Sequence, residues 1–156
     1  MKLYIKQKAF SFADRFSIYD ASGNPKYWAE GELFTMAKRL HVYDEAGEEV
    51  VTVKQELWNW LPTYAVYYKG KQFATIRSRF SLRPRYEIEG PGWLVEGNFM
   101  GLDYTISSDS RQIATINKKW MSWGDSYEVD IDDPIDELPV LSVVLGIDAA
   151  VASSGK

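Results

Sequence analysis

Six basic residues, Lys69, Lys71, Arg77, Arg79, Arg83 and Arg85, fall within one short stretch that contains no acidic residue, in a chain whose net charge is −4. Residues two apart on a β-strand share a face, so Arg77 with Arg79, and Arg83 with Arg85, can each present a pair of guanidinium groups. Such pairs meet phosphate oxygens bidentately, and the chemistry they suit is recognition of an anionic phospholipid headgroup or another phosphorylated ligand. The competing reading is a solvated strand face whose charge is balanced by acidic neighbours on another strand.

Aromatic residues gather in three connections: Leu57-Trp58-Asn59-Trp60, Phe80-Ser81-Leu82 and Trp120-Met121-Ser122-Trp123. If these are turns at one end of the fold, Trp58, Trp60, Trp120 and Trp123 could enter a membrane interface, where Trp is favoured, or form a surface for a protein partner. The alternation of Trp58 with Trp60 favours rings packed in the core or against its rim.

Glu128, Asp130, Asp132, Asp133, Asp136 and Glu137 make a carboxylate-rich segment near the C-terminus. Measured against a calcium-binding EF-hand loop begun at Asp130, the sixth position is Ile135 where glycine is needed, and the twelfth is Leu141 in place of Glu. The segment reads as a solvated acidic turn feeding a helix N-terminus. His41 is the single histidine and there is no cysteine, which excludes disulfides, thiolate or multi-histidine metal sites and a Cys nucleophile. Glu30 and Glu96 could in principle pair for glycoside chemistry, but they occupy matching Glu-Gly positions of an internal repeat, which accounts for them. No catalytic residue, metal site or cofactor is assigned.

The elements that must position these residues are short strands around one helix. Leu138–Ala152 is the most apolar stretch, and at helical spacing its apolar residues cover every side. Such a helix must be buried all round. Asp136 is its expected N-cap, Glu137 suits the helix dipole, and Pro139 falls in the first turn. The segment spans roughly 22 Å, too short for a bilayer core, and Asp148 interrupts it. Asp148 is expected at the mouth of the surrounding structure, the alternative being a buried pair with Lys or Arg. Gly146, four residues after Ser142, leaves a small-residue face where a strand can approach.

Alternating runs separated by turn signals precede this helix. They begin at Lys2–Lys6 and Arg15–Asp20, and recur through Gly23, Gly47, Gly70 and the Gly90-Pro91-Gly92 turn to Tyr127–Ile131. About a dozen strands result. Val51-Thr52-Val53 with Tyr64, Ala74-Thr75-Ile76 with Tyr86, and Ala114-Thr115-Ile116 with Tyr127 repeat one pattern at nearly constant separation. Trp28-Ala29-Glu30-Gly31 echoes Leu94-Val95-Glu96-Gly97. Two similar halves wound round the helix predict a closed antiparallel barrel with few open edges.

The 156 residues suffice for one domain, residues 1–152, with 153–156 as a tail. The N-terminal MKLYIKQKAF has no apolar signal region, so a cytoplasmic location is expected. The acidic balance argues against nucleic acid.

The succession Val42-Tyr43-Asp44…Gly47, Val51-Thr52-Val53, Pro62-Thr63-Tyr64, Ile113-Ala114-Thr115-Ile116-Asn117-Lys118-Lys119 and Asp125-Ser126-Tyr127-Glu128-Val129, closing on Gly146-Ile147-Asp148, resembles the LURP-one-related family. That family is similar in fold to the tubby C-terminal domain and to phospholipid scramblases. The resemblance implies a barrel of about twelve strands around a central C-terminal helix. Tubby domains bind phosphoinositides, although no motif here transfers those lipid contacts residue by residue. Scramblases carry a calcium-binding stretch in a place similar to the acidic segment.

Residues and resemblance together predict a non-catalytic, monomeric, cytoplasmic barrel, peripheral at the membrane. It would bind an anionic lipid headgroup or another phosphorylated ligand through Lys69–Arg85. The alternative is a protein-interaction scaffold that uses the aromatic loops.

Overall fold

The computed structural model describes residues 1–6, 15–32, 37–79, 85–121 and 124–154. In it, twelve strands form one closed antiparallel barrel in which each strand pairs with its neighbours in sequence. They are β1 (Lys2–Lys6), β2 (Arg15–Tyr19), β3 (Pro25–Glu32), β4 (Arg39–Tyr43), β5 (Glu49–Glu56) and β6 (Thr63–Tyr68), followed by β7 (Lys71–Arg79), β8 (Arg85–Glu89), β9 (Trp93–Asn98), β10 (Asp103–Ser108), β11 (Arg111–Met121) and β12 (Gly124–Ile131). The ring closes between β1 and β12, where Leu3 pairs with Val129, and the N-terminal ammonium donates to the Ile131 carbonyl at 2.8 Å. Closure leaves no edge strand exposed.

Alternation decides which side chains face inward. Leu40 and Val42, Val51 and Val53, Tyr64 and Val66, and Ala74 and Ile76 point into the barrel and are buried. Thr52, Thr75 and Thr115 occupy the outward positions between them. The sequence repeats are therefore structural: Val53 faces Val66, Ile76 faces Ile88, and Ile116 faces Val129 across adjacent strands. The β2–β3 and β4–β5 turns use identical chemistry, with the Asp20 carboxylate accepting from the Ser22 and Asn24 amides and Asp44 accepting from Ala46 and Glu48. Side-chain acceptors of this kind fix a tight turn locally.

A 3-10 turn (Pro134–Asp136) leads into α1 (Glu137–Ser154), which fills the barrel. Val140 through Ile147 are buried on every side of the helix, as its uniform apolarity requires. Gly146 sits against Ile76 of β7 and Val53 of β5, so the small-residue face does receive the strands. The added 3-10 turn has its own cap, Asp133, which accepts from the Ile135 amide, while Asp136, immediately before α1, lies 3.7 Å from Arg111. The helix also continues to Ser154, beyond the predicted end. One further expectation is corrected. Trp120 and Met121 belong to β11 rather than to a turn, since β11 and β12 pair as far as Met121 and Gly124. Glu30 and Glu96 face outward on β3 and β9, half the ring apart, and cannot act on one substrate.

Because every connection is a hairpin, loops alternate between the two ends of the barrel. The short turns after β2, β4, β6, β8 and β10 and the start of α1 share one end, the turn end. The connections after β5, β7, β9 and β11 and the C-terminus of α1 share the other, the loop end.

Candidate functional site

The basic run is divided between these ends. Lys69 and Lys71 flank the β6–β7 turn at the turn end, with the Lys69 ammonium 5.6 Å from the Tyr68 ring centroid. Arg77 and Arg79 share the outward face of β7 and run toward the loop end, where Arg85 opens β8. Arg83 and Phe80-Ser81-Leu82 lie outside the described residues. The Arg77 Nε donates to Glu89 at 2.8 Å and the Arg79 Nε to Glu87 at 2.5 Å. A phosphate approaching these two guanidinium groups must compete with carboxylates already in place. Arg85 stands directly across from Arg79, and opposed like charges on neighbouring strands cost stability.

A second cation pair lies at the same end, with Glu32 facing Arg39 from β3 and Glu56 lining the same cleft. Arg39 opens β4 and faces Lys54 of β5 across the ladder, both on the outward side. Neither forms an ion pair among the described residues, and the Arg39 Nε is buried without a hydrogen-bond partner. Buried donors are nearly always satisfied, so this nitrogen and the Glu32 Oε2 across the ladder, also without a hydrogen-bond partner, are exceptions. The two cations line an open cleft of about 510 Å³ together with Gln55, Glu56, Trp58 and Tyr67. That is within the range of small-ligand sites. Tyr67 presents its ring from the outward face of β6, next to Ala65, whose small side chain leaves the floor open.

Trp58 stands at the lip of this cleft with φ of 68°, a left-handed conformation that a bulky residue adopts only at a cost. Core packing of Trp58 and Trp60 is not observed. Both are almost wholly exposed, because the strand ends at Glu56 and the alternation that would have turned one ring inward stops there. Trp120 is exposed at the end of β11, and Trp123 lies outside the described residues.

The acidic segment is engaged with the protein itself. Glu128 accepts from the Tyr4 hydroxyl at 2.9 Å, Asp132 from Gln112 at 3.3 Å, and Glu137 holds Lys26 at 2.7 Å and the Tyr27 hydroxyl at 2.5 Å. Burial and the Glu128 contact push the Tyr4 phenol up to about 12. His41 lies between Glu49 and Glu32 on the outer wall. Partial burial disfavours its charge, but the two carboxylates prevail and raise its pKa.

Sequence reasoning missed Arg39, Lys54 and Tyr67. Alternation already marked the two cations as outward-facing, but only the β4–β5 register sets one opposite the other.

A closed twelve-stranded antiparallel barrel filled by its own C-terminal helix, with cations and aromatics at one end, defines the fold class. The chain belongs to the LURP-one-related family, whose model matches residues 1–148. It is 30% identical over 149 residues to the uncharacterized protein YxjI of Bacillus subtilis (strain 168), covering 95% of this chain and 92% of that one. The X-ray structure of an Arabidopsis thaliana protein superposes with a TM-score of 0.63 at 17% identity, over 95% of this chain and 90% of the other, and so shares the fold.

Proposed function

We propose that this barrel is a non-catalytic domain that recognises the phosphate of an anionic phospholipid headgroup and works at the cytoplasmic surface of a membrane. The observation that carries the reading is the Arg39–Lys54 pair: two opposed cations, one with a buried unpartnered nitrogen, in a cleft walled by Trp58 and Tyr67. Folding places like charges together at a cost, and a bound dianion offsets that cost. Arg79 and Arg85, the second opposed pair at the same end, are flanked by Glu87, which holds Arg79, and by Glu96, which faces Arg85, and add less to the positive surface. Lys69 and Lys71 face the other way and would not touch the same headgroup.

The test is co-sedimentation of the full chain with phosphatidylcholine vesicles that contain phosphatidylglycerol, compared with R39Q/K54Q. Each cation near an anionic surface contributes about 1 kcal/mol, so the double variant is expected to bind roughly thirtyfold more weakly with its melting temperature maintained. Equal binding by the two proteins would refute the assignment.

The exposed Trp58, Trp60 and Trp120 favour one other reading, a scaffold that holds a protein partner through apolar contacts. Such a complex is insensitive to salt, whereas headgroup binding weakens as ions screen it.

A further inference from the structure

The two ends of the barrel differ in charge and in apolar exposure, and both differences have the same sense. At the turn end, the hairpins carry Asp20, Asp44, Glu45, Glu48 and Asp109, and the lead into the helix adds Asp132, Asp133 and Asp136, set against the basic Lys2, Lys26, Lys69, Lys71 and Arg111. At the loop end, Lys6, Arg15, Lys38, Arg39, Arg79 and Arg85 sit at or beside strand termini, and Lys118 and Lys119 follow near the end of β11. Acidic residues are fewer at this end, where Glu32, Glu56, Asp103 and Asp125 sit at or beside strand termini and Glu87 holds Arg79.

Most of the large exposed apolar side chains are also there, the exception among the described residues being Ile135 in the 3-10 turn at the other end. Trp58 is 94% exposed, Trp60 95%, Trp120 78% and Met100 78%. These four occupy the β5–β6 connection, the β9–β10 connection and the tip of β11, three points along the half of the ring that runs from β5 to β11. Anchors spaced along half the rim define a plane across the barrel axis. A protein partner on one wall would engage one of these points, whereas a flat surface engages all of them.

We propose that the barrel docks end-on. Its loop end lies on an anionic bilayer with Trp58, Trp60, Met100 and Trp120 in the interfacial zone, and its acidic turn end points to solvent. Trp suits that zone because an apolar ring and a polar N–H are both accommodated. Lys and Arg around the anchors gain from the negative surface, and the acidic far end is kept away by the same field. The orientation rests on the headgroup reading and adds to it: the cleft supplies headgroup selectivity and the rim supplies depth and direction.

The test separates the two claims. Trp60 and Trp120 do not line the cleft, so W60A/W120A leaves the cation pair intact. This variant is expected to lose about tenfold or more in partitioning to phosphatidylglycerol-containing vesicles, the effect of removing roughly 1.4 kcal/mol of interfacial burial. It should still bind inositol hexakisphosphate, a soluble polyphosphate probe, as the unaltered protein does. R39Q/K54Q should lose both. Phospholipid brominated near the carbonyl groups should quench the fluorescence of vesicle-bound protein, and the quenching should be smaller in W60A/W120A, where Trp58 is the remaining interfacial indole.

Unchanged partitioning of W60A/W120A, or bound protein that brominated lipid does not quench, would overturn end-on docking and leave the headgroup assignment standing. Retention of inositol hexakisphosphate and vesicles by R39Q/K54Q would remove the headgroup assignment instead. An unaltered melting temperature in W60A/W120A confirms that the loss is one of docking, since both rings are exposed in the folded protein.

Discussion

The Tyr127 hydroxyl donates to the Asp148 carboxylate, tying the last strand to the C-terminal half of the central helix at the loop end of the barrel. Tyr64 makes a parallel link from β6, donating to the Ala149 carbonyl at 3.2 Å. With Tyr86 and Tyr104 they form a set of inward-facing tyrosines on alternate strands, each near the strand start. The repeated Tyr of the sequence thus acts as a collar around the helix. Asp148 fits neither expectation: its carboxyl is largely buried rather than in water at a mouth, and its partner is a phenol rather than a cation.

Burial pushes the Asp148 carboxyl up to about 7, although the Tyr127 hydroxyl pulls it back toward ionisation. A carboxyl whose pKa is raised by folding binds its proton more tightly in the native state. Stability from this group is therefore fully present below the unfolded value near 3.8, falls as pH rises through about 7, and is constant above that. D148N, which can still accept from Tyr127, is expected to flatten the melting temperature between pH 5 and pH 8, an interval bounded by that shift, and to raise stability at the alkaline side by on the order of 1–3 kcal/mol. Thermal unfolding against pH for the two proteins checks this.

His41 contributes in the same direction. Its pKa is raised, so the stability it gains from Glu49 and Glu32 is present at low pH and lost as pH climbs past its folded value. H41Q is expected to lower the melting temperature at pH 5.5, which is below the ordinary value of 6.5, and to have a smaller effect at pH 8, measured by the same scans.

Leu141 is wholly buried on the central helix. Truncation to Ala leaves a cavity that the surrounding strands cannot close, and L141A is expected to cost about 2–5 kcal/mol in denaturant unfolding.

Gly97 allows β9 to lie against β10. Its φ is 138°, and an added Cβ would come within 2.6 Å of the Asp103 carbonyl oxygen and the Tyr104 Cα, both backbone atoms. G97A is expected to lower stability by about 1 kcal/mol or more, a shift of roughly 3 °C in melting temperature.

The fold was legible because each of its determinants is local. Alternation in Arg39–Tyr43 or Glu49–Glu56 shows the inward face without reference to any other strand, and the all-round apolarity of Val140–Ile147 leaves burial as the only outcome. The β7–β8 ion pairs were within reach as well, since Glu87 and Glu89 follow the basic run and a hairpin returns them to Arg79 and Arg77. The cleft was not. Arg39 and Lys54 meet only through the β4–β5 register, and the left-handed backbone that stands Trp58 at the lip leaves no mark in a chain that carries no glycine there. Trp58 and Trp60 were misplaced for a related reason, because alternation carries no information once a strand has ended.

The most direct measurement is co-sedimentation of the unaltered protein with pure phosphatidylcholine vesicles and with phosphatidylglycerol-containing vesicles, each at low and high salt. The expected result is binding confined to the anionic vesicles and lost at high salt, since screening removes the attraction between phosphate and the Arg39–Lys54 pair. Binding to neither vesicle, or equal binding to both that persists in high salt, would contradict the headgroup account.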